Sequence, residues 1–269
     1  MSDQTTHYET IIFETAGSIG RITLNRPAQL NALTRTMLGE IGDVLEQTGR
    51  GSDLRVLVLT GAGRGFCAGQ DLAEPGVLDA RDRSEAVTWS LTRFYHPVIR
   101  RLRQLDVPVV AAVNGVAAGA GANLALACDF VLAARGAKFI QAFRHIGLVP
   151  DSGGTHVLPR LIGEARARRL MLLGEPLDAD TAEAWGMIYR CVDDEALATE
   201  TDALAQQLAE GPTRALGLTK KALAASPTND LAAQLELEAK LQKEALMTND
   251  WLEGLEAFVE KRPAKFDGR

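Results

Sequence analysis

The sequence contains few cysteines and histidines, and their spacing argues against several kinds of site. The three cysteines are Cys67, Cys128 and Cys191. Because they are odd in number, far apart and without a Cys-x-x-Cys pair, they are typical of reduced structural thiols in a cytosolic protein. His7, His96 and His156 have no spacing typical of metal ligands, so we expect no metal site.

Positive charge is not in excess, and no segment has the pattern of a membrane span. The chain has 29 Lys and Arg against 35 Asp and Glu, a net charge of −6, which argues against nucleic acid or an anionic membrane as main partner. The first ten residues have no secretion-signal pattern. Asn114 and Asp129 interrupt the most apolar region, residues 107–134. With 46% hydrophobic residues in 269, we expect a soluble cytoplasmic protein with a large core.

Strand and helix patterns alternate through the first 195 residues. The expected strands are Ile11–Phe13, Ile19–Leu24, Leu54–Leu59, Pro108–Val113, Phe130–Ala133, Phe139–Gln141 and Ile188–Val192. The expected helices are one capped by Asn31, one ending at Ala127, and those over residues 86–105, 154–161 and 165–173. Four helical segments without a further strand continue to about Arg262. We therefore predict an α/β core, residues 1–195, and an α-helical C-terminal region, residues 196–269.

Two glycine-rich stretches, residues 61–72 and 114–123, each follow an apolar run. Small residues at this density let a ligand approach the bare main chain, and N–H groups at a helix start favour negative charge. Two such stretches can aim two N–H donors at one oxygen, which is how an enzyme stabilises an enolate. The Gly-x-Gly-x-x-Gly and Gly-Lys-Ser/Thr nucleotide motifs are missing. For one stretch alone, a tight turn between strand and helix is an equally good interpretation.

Five ordered motifs extend from about residue 10 to the end of the chain. They are residues 26–33, residues 65–72, residues 113–121 with 127–129, residues 147–155, and residues 253–258 with 260–262. In these motifs the chain resembles the crotonase superfamily, also called the enoyl-CoA hydratase/isomerase family. The resemblance implies a spiral of repeated ββα units with a helical trimerisation region, and a homotrimer or dimer of trimers. It also implies an acyl-CoA thioester substrate and no cofactor, since coenzyme A is part of that substrate.

The resemblance assigns the parts of an acyl-CoA site by position. The main-chain N–H groups of Gln70 and Ala120 form an oxyanion hole for the thioester carbonyl oxygen, which gains charge in the reaction. For the coenzyme A half, the implied contacts are Ala68, Asp71 and Leu72 for the adenine, Arg26 for the phosphates, and Phe258 and Lys261 of a neighbouring subunit for the nucleotide end. From periodicity alone, Phe258 is a core residue and Lys261 a solvated charge.

The acid/base residues determine which reaction the resemblance implies. Hydratases of the superfamily use two glutamates, and Asn123 and Phe143 occupy their positions here, neither of which exchanges a proton at neutral pH. The resemblance instead places one carboxyl group, Asp151, opposite the acyl group. Its neighbours Phe143, Ile146, Leu148 and Val149 predict a raised pKa. From spacing alone, a helix N-cap is the favoured interpretation of Asp151.

Asn123 has two interpretations. Its amide can hydrogen-bond a substrate oxygen or Asp151, and polar packing at the helix start is the alternative. We include Asn123 with Asp151, Gln70 and Ala120 among the candidate catalytic residues.

Further segments indicate a subgroup and leave alternatives open. They are residues 93–102, 117–122, 148–151, 184–188 and 213–218. These segments resemble superfamily isomerases that open an arene epoxide to a seven-membered oxepin, whose relatives shift double bonds in enoyl-CoA. The implied activity is therefore acyl-CoA isomerisation. The alternatives are an enoyl-CoA hydratase acting through other residues, a dehalogenase-like hydrolase with a nucleophilic carboxylate, and a coenzyme A-binding paralogue without chemistry.

Overall fold

The computed structural model describes residues 3–49, 52–77 and 81–269. The strands are β1 (Gln4–His7), β2 (Ile11–Ala16), β3 (Ile19–Leu24), β4 (Val56–Gly61), β5 (Gly65–Cys67), β6 (Val109–Val113), β7 (Val116–Ala118), β8 (Phe130–Ala134), β9 (Lys138–Ile140), β10 (Leu177–Asp178) and β11 (Arg190–Val192). The helices are α1 (Arg35–Gly49), α2 (Arg83–Ser90), α3 (His96–Gln104), α4 (Ala120–Leu126), α5 (Gly154–Leu173), α6 (Ala179–Ala184), α7 (Leu197–Ala209), α8 (Thr213–Ala225), α9 (Leu231–Ala245) and α10 (Asn249–Glu260). A π-helical turn, Leu91–Tyr95, joins α2 to α3.

The described strands form two sheets. The larger sheet has the order β1-β2-β3-β4-β6-β8-β11, and its strands from β3 onward are parallel. The smaller sheet has the order β10-β9-β7-β5, in which β5, β7 and β9 are parallel. Consecutive strands from β4 to β9 alternate between the two sheets, which produces the expected spiral of strand–strand–helix units. After β11, the described chain forms helices and their connections.

Both faces of the larger sheet are covered. Alternate residues of a strand face opposite sides of a sheet. Accordingly, Leu57 and Leu59 of β4 pack in the cluster that contains α1, whereas Val56 and Val58 pack in a second cluster with α7. Strands buried on both faces read as continuous apolar runs, which is why these central strands were identifiable from the sequence.

The predicted cap at Asn31 is wrong. Helix α1 begins at Arg35, and the hydroxyl of Thr34 accepts an N–H of its first turn at 3.1 Å. Asn31 is instead buried with a φ of 57°. Its side-chain amide donates to the carbonyl oxygens of Ala62 and Gly65 at 2.9 and 2.8 Å. Through these two hydrogen bonds, Asn31 holds the first glycine-rich turn against a segment more than 30 residues earlier in the chain.

Several short elements were not expected from the sequence. Strand β1 is polar and exposed along its whole length, so it has no apolar alternation to detect. Strand β10 has two residues, and β7 lies inside the second glycine-rich stretch. By contrast, the two helices expected over residues 154–161 and 165–173 are confirmed, because Gly163, with a φ of 75°, breaks the helical backbone of α5 between them.

The glycine-rich stretches pack against each other. A Cβ atom on Gly115 would overlap the main-chain carbonyl of Arg64, and one on Gly121 would overlap the main-chain carbonyl of Cys67. At these two positions, glycine permits contact between protein backbones. The interpretation that all the small residues serve ligand approach is therefore wrong for Gly115 and Gly121.

Neither a membrane span nor a metal cluster is found among the described residues. None of the helices there has the length and hydropathy that a bilayer span requires. Within the same residues, no three His, Cys, Asp or Glu side chains are grouped so that they could hold a metal ion. The three cysteines are free, and burial raises the pKa of Cys67 and of Cys128 to about 12, so these two thiols stay protonated.

Candidate active site

Three neighbouring parallel strands of the smaller sheet end at one edge. The segment after β5 contains Gln70, the segment after β7 contains Ala120, and Gln141 directly follows β9. Because the carboxyl ends of adjacent parallel strands lie side by side, the three segments converge there. The N–H of Gly119 donates to the carbonyl of Ile140 at 2.8 Å, which extends the pairing of β7 and β9 to this edge.

The main chain on both sides of Gln70 is held in place. Leu33 donates its N–H to the carbonyl of Gly69 at 2.7 Å and accepts the N–H of Asp71 at 2.9 Å. In such a parallel bridge, the N–H of the residue in between points away from the partner strand. A Cβ atom on Gly69 would lie 2.8 Å from the carbonyl oxygen of Ala118. The chain before Gln70 therefore lies directly against the segment that leads into α4.

Two unpaired N–H groups result. Ala120 is the first residue of α4, where helix geometry leaves the N–H without an intrahelical acceptor. Across the described residues, no hydrogen bond uses the main-chain N–H of Gln70 or of Ala120. A Cβ atom on Gly69 would lie 3.7 Å from the nitrogen of Ala120. This arrangement is suited to binding one developing oxyanion with two donors.

Asp151 lies in a turn between the smaller sheet and α5. Its carboxylate accepts a hydrogen bond from the hydroxyl of Ser152 at 2.8 Å. The N-cap of α5 is Gly153, without a side-chain cap, so the N-cap interpretation of Asp151 is wrong. Burial raises the pKa of Asp151 above its ordinary value, while the Ser152 hydrogen bond and the charge of His96 act in the opposite direction. The expected direction of the pKa shift is confirmed.

The four apolar residues expected around Asp151 differ in burial. Phe143 is buried, whereas Ile146, Leu148 and Val149 are exposed. A Cβ atom on Gly153 would lie 3.7 Å from a methyl group of Ile99, which places the turn against α3.

Tyr95 and His96 belong to the site and were not identified from the sequence. Both lie where the π-helical turn joins α3, and π-turns are frequent at functional sites. Tyr95 is buried, and burial and the nearby charge of Asp151 raise its pKa well above the ordinary value, so its hydroxyl stays protonated. The charge of His96 lowers the pKa of Asp151. A π-turn has no sequence signal, so the sequence analysis placed Tyr95 only within the helix expected over residues 86–105.

Asn123 lies on α4 with 2% of its surface exposed. Its amide nitrogen donates to the main-chain carbonyl of Asp151 at 2.8 Å, and its amide oxygen accepts from the side chain of Gln141 at 2.9 Å. Both ends of the amide are therefore engaged within the protein. Of the expected contacts, Asn123 makes the one with Asp151, through the main chain and not through the carboxylate.

Four of the residues expected to contact coenzyme A lie in the first glycine-rich stretch or are paired with it. Arg26 pairs with Asp71 at 2.9 Å and donates to the carbonyl of Ala32 at 2.7 Å. Ala68 and Leu72 are half-buried. The ion pair brings together Asp71, which the resemblance assigns to the adenine, and Arg26, which it assigns to the phosphates.

Phe258 and Lys261 lie at the end of α10. Phe258 is 82% exposed, so the interpretation of Phe258 as a core residue is wrong for the single chain. Lys261 is exposed and follows α10 with a φ of 56°.

Comparison with known proteins supports the resemblance. The family model described as enoyl-CoA hydratase/isomerase matches residues 14–269. A 1,2-epoxyphenylacetyl-CoA isomerase of Escherichia coli (strain K12) is 48% identical over 97% of this chain and 99% of its own length. A probable enoyl-CoA hydratase of Rhodobacter capsulatus is 45% identical over the same shares. The crystal structure of an enoyl-CoA hydratase from Bacillus anthracis, 33% identical, superposes with a TM-score of 0.87 over 100% of both chains.

Proposed function

The chain belongs to the enoyl-CoA hydratase/isomerase family, and we propose that it isomerises acyl-CoA thioesters. One observation carries the proposal: the candidate site combines two unpaired main-chain N–H groups with a single half-buried carboxyl group, Asp151. Hydration in this family is expected to need two carboxylates. At the two corresponding positions, the chain has Asn123, whose amide is fully engaged, and Phe143, whose ring is buried.

The two N–H donors stabilise negative charge on the substrate. When a proton leaves the carbon next to the thioester carbonyl, the charge moves to the carbonyl oxygen as an enolate. The N–H groups of Gln70 and Ala120 bind this oxygen more tightly as it gains charge. Each such donor contributes about 2.7–4 kcal/mol of transition-state stabilisation.

Asp151 carries the proton between two substrate carbons. The carboxylate takes a proton from one carbon of the substrate and returns it to another. The product therefore contains the same atoms as the substrate and differs only in how they are bonded. A carboxyl with a raised pKa suits this role, because it is a stronger base than an exposed carboxylate and still releases the proton. The ring of Phe143 packs beside Gly119, 3.8 Å from where a Cβ atom on that glycine would lie. The resemblance aligns Phe143 with the second glutamate of the hydratases, so an apolar ring at this position supports isomerisation.

We infer 2-(1,2-epoxy-1,2-dihydrophenyl)acetyl-CoA or a 3-enoyl-CoA as the substrate. The relative that is 48% identical is named for the isomerisation of the epoxide, and both reactions suit one carboxyl group opposite an oxyanion hole. For the coenzyme A half, we propose that the adenine lies near Ala68, Asp71 and Leu72 and the phosphates near Arg26, since the first three flank Gln70 in the chain and Arg26 pairs with Asp71.

The substrate assignment is tested by incubating the protein with the epoxide thioester, a 3-enoyl-CoA and a 2-enoyl-CoA in H₂¹⁸O. We expect isomerised products of the first two thioesters that contain no ¹⁸O, and little hydration of the third. Because relatives are named hydratases, the main contrary result is rapid ¹⁸O incorporation into 2-enoyl-CoA. A covalent ester on Asp151 would indicate a hydrolase, and tight coenzyme A binding without turnover would indicate a non-catalytic paralogue.

We further propose that the chain assembles as a trimer or a dimer of trimers. In the single chain, α9, α10 and the turn between them expose a set of large apolar side chains. These are Leu231, Leu235, Leu246, Met247, Trp251, Leu252, Leu255, Phe258 and Val259. Exposed apolar groups of this number mark an interaction surface, and assembly would bring Phe258 and Lys261 towards a neighbouring site. Light scattering should give about three or six times the chain mass of 28.9 kDa, and a monomer would contradict the proposal.

A further inference from the structure

The turn that carries Asp151 has an unusual backbone. Ser152 has a φ of 50° and Gly153 a φ of 82°, so two consecutive residues adopt the left-handed conformation. For a residue with a side chain, this conformation is disfavoured and persists only where surrounding contacts hold it. Ser152 is also buried. Some feature of the surrounding structure must therefore fix residues 151–154.

Two hydrogen bonds converge on the main-chain carbonyl of Asp151. The N–H of Gly154 closes the turn at 2.9 Å, and the amide nitrogen of Asn123 donates from α4 at 2.8 Å. The fit is close, since a Cβ atom on Gly154 would overlap the Asn123 side chain. Asn123 thus holds the turn from the side of the oxyanion segment, three residues after Ala120.

The orientation of both amides follows from this carbonyl. A carbonyl oxygen only accepts, so Asn123 must present its NH₂ group to Asp151 and its oxygen to Gln141. Gln141 must then present its own NH₂ group, at 2.9 Å. Its oxygen Oε1 is left as a buried acceptor without a partner among the described residues, in a side chain that is 3% exposed.

An unpaired buried acceptor is unfavourable for folding, and such groups call for an explanation. An apolar residue at position 141 would avoid this cost. The side chain of Gln141 supplies one N–H, which donates to the oxygen of the Asn123 amide. This hydrogen bond keeps the Asn123 NH₂ group directed at the Asp151 carbonyl. Departures from local packing rules are expected at functional sites.

We propose that Asn123 and Gln141 are positioning residues, which hold the turn at residues 151–154 so that the Asp151 carboxyl group faces the acyl group. This inference rests on the proposed function, because it assumes that Asp151 carries the proton. Neither side chain needs to touch the substrate. Their contribution is to keep the carboxyl group within reach of the carbon that loses the proton and out of bulk water.

The test uses two substitutions of one residue. Gln141→Met keeps the volume and removes the donor together with the unpaired acceptor, so the melting temperature should change by less than about 4 °C. The kcat should fall about 10- to 100-fold at nearly unchanged KM, since small misplacements of a catalytic group have effects of this size. Gln207→Met, on an exposed position of α7, is the matched control and should retain the wild-type kcat.

The second substitution, Gln141→Glu, adds a pH readout. A buried glutamate is held protonated above its ordinary pKa, and in that form it donates to Asn123 as glutamine does. We expect near wild-type kcat at pH 6 and a new loss of kcat as the pH rises and the glutamate ionises. In Gln141→Met, the fall of kcat at acid pH should occur at lower pH than in the wild type. The Asp151 carboxyl is then held less firmly and is more hydrated, which lowers its raised pKa towards the ordinary value. The groups that face Asp151 from other elements, Tyr95, His96 and the neutral Asn123 amide, are unchanged in both variants.

The outcomes separate this inference from the proposed function. If Asp151→Asn is inactive while both Gln141 variants keep the wild-type kcat and pH profile, the positioning role is wrong and the proposed function stands. If Asp151→Asn remains active, the proposed proton transfer is wrong. Should Gln141→Met not fold, the pH profile of Gln141→Glu decides alone, and a profile identical to wild type overturns the inference.

Discussion

Replacing Asp151 by asparagine is expected to lower the isomerase kcat by roughly 10²- to 10⁴-fold, with little change in KM. Asparagine keeps the size of the side chain and can still accept the hydrogen bond from Ser152. It cannot take up a proton at neutral pH. The oxyanion donors and the coenzyme A contacts stay in place, so binding is retained while the proton transfer is lost.

The pH profile of the unmodified protein provides an independent check. Burial raises the pKa of Asp151, and only the ionised carboxylate accepts a proton from the substrate. The kcat should therefore fall as the pH decreases through this raised pKa, at a higher pH than for an exposed aspartate. In Asp151→Asn, the remaining activity should not show this acid limb.

A matched substitution controls for the loss of one negative charge. Asp230 caps α9 by accepting the N–H of Ala233 at 2.8 Å, and asparagine caps a helix as well as aspartate. Asp230→Asn should therefore retain the wild-type kcat and acid limb. If Asp151→Asn turns over the substrate like Asp230→Asn, Asp151 is not the acid/base residue.

The sequence predicted the central elements of the fold and missed those that depend on distant contacts. Strands β4 and β6 are buried on both faces, so they were recognisable as apolar runs. The function of Asn31 was not recognisable, because its partners Ala62 and Gly65 lie more than 30 residues away. A capping position fits the local pattern equally well, and only the packed structure distinguishes the two.

The site shows the same division. Gln70 and Ala120 lie in local motifs, and the resemblance carried by those motifs was sufficient to name them as the two N–H donors. The raised pKa of Asp151 was expected from neighbours in sequence, whereas the structure brings the turn that carries Asp151 against Ile99 of α3, about 50 residues earlier. Gln141 had no sequence signal apart from following a short strand. Its role became apparent only from the hydrogen-bond partners of Asn123.

Replacing Ala120 by proline is expected to lower kcat by about 10²- to 10³-fold, the effect of losing one oxyanion donor. Proline removes the N–H and is tolerated at the first position of a helix, where that N–H has no intrahelical acceptor. Ala120 occupies this position in α4. The preceding Gly119 has a φ of 52°, which glycine adopts readily, and its ψ of −125° lies outside the α region that a following proline disfavours. The fold should be retained, as measured by circular dichroism and thermal unfolding.

The control for this substitution is proline at the first position of a helix outside the site. Asn249 begins α10 after the N-cap Thr248, whose extended backbone also accommodates a following proline. Asn249 is exposed and is not one of the apolar residues of the proposed assembly surface. Asn249→Pro should leave kcat within about twofold of wild type, because the N–H that it removes has no catalytic acceptor. If Ala120→Pro folds, binds the thioester and keeps the same kcat as Asn249→Pro, the charge on the thioester oxygen is not stabilised at Ala120. The convergence of β5 and β7 would then have only a structural role.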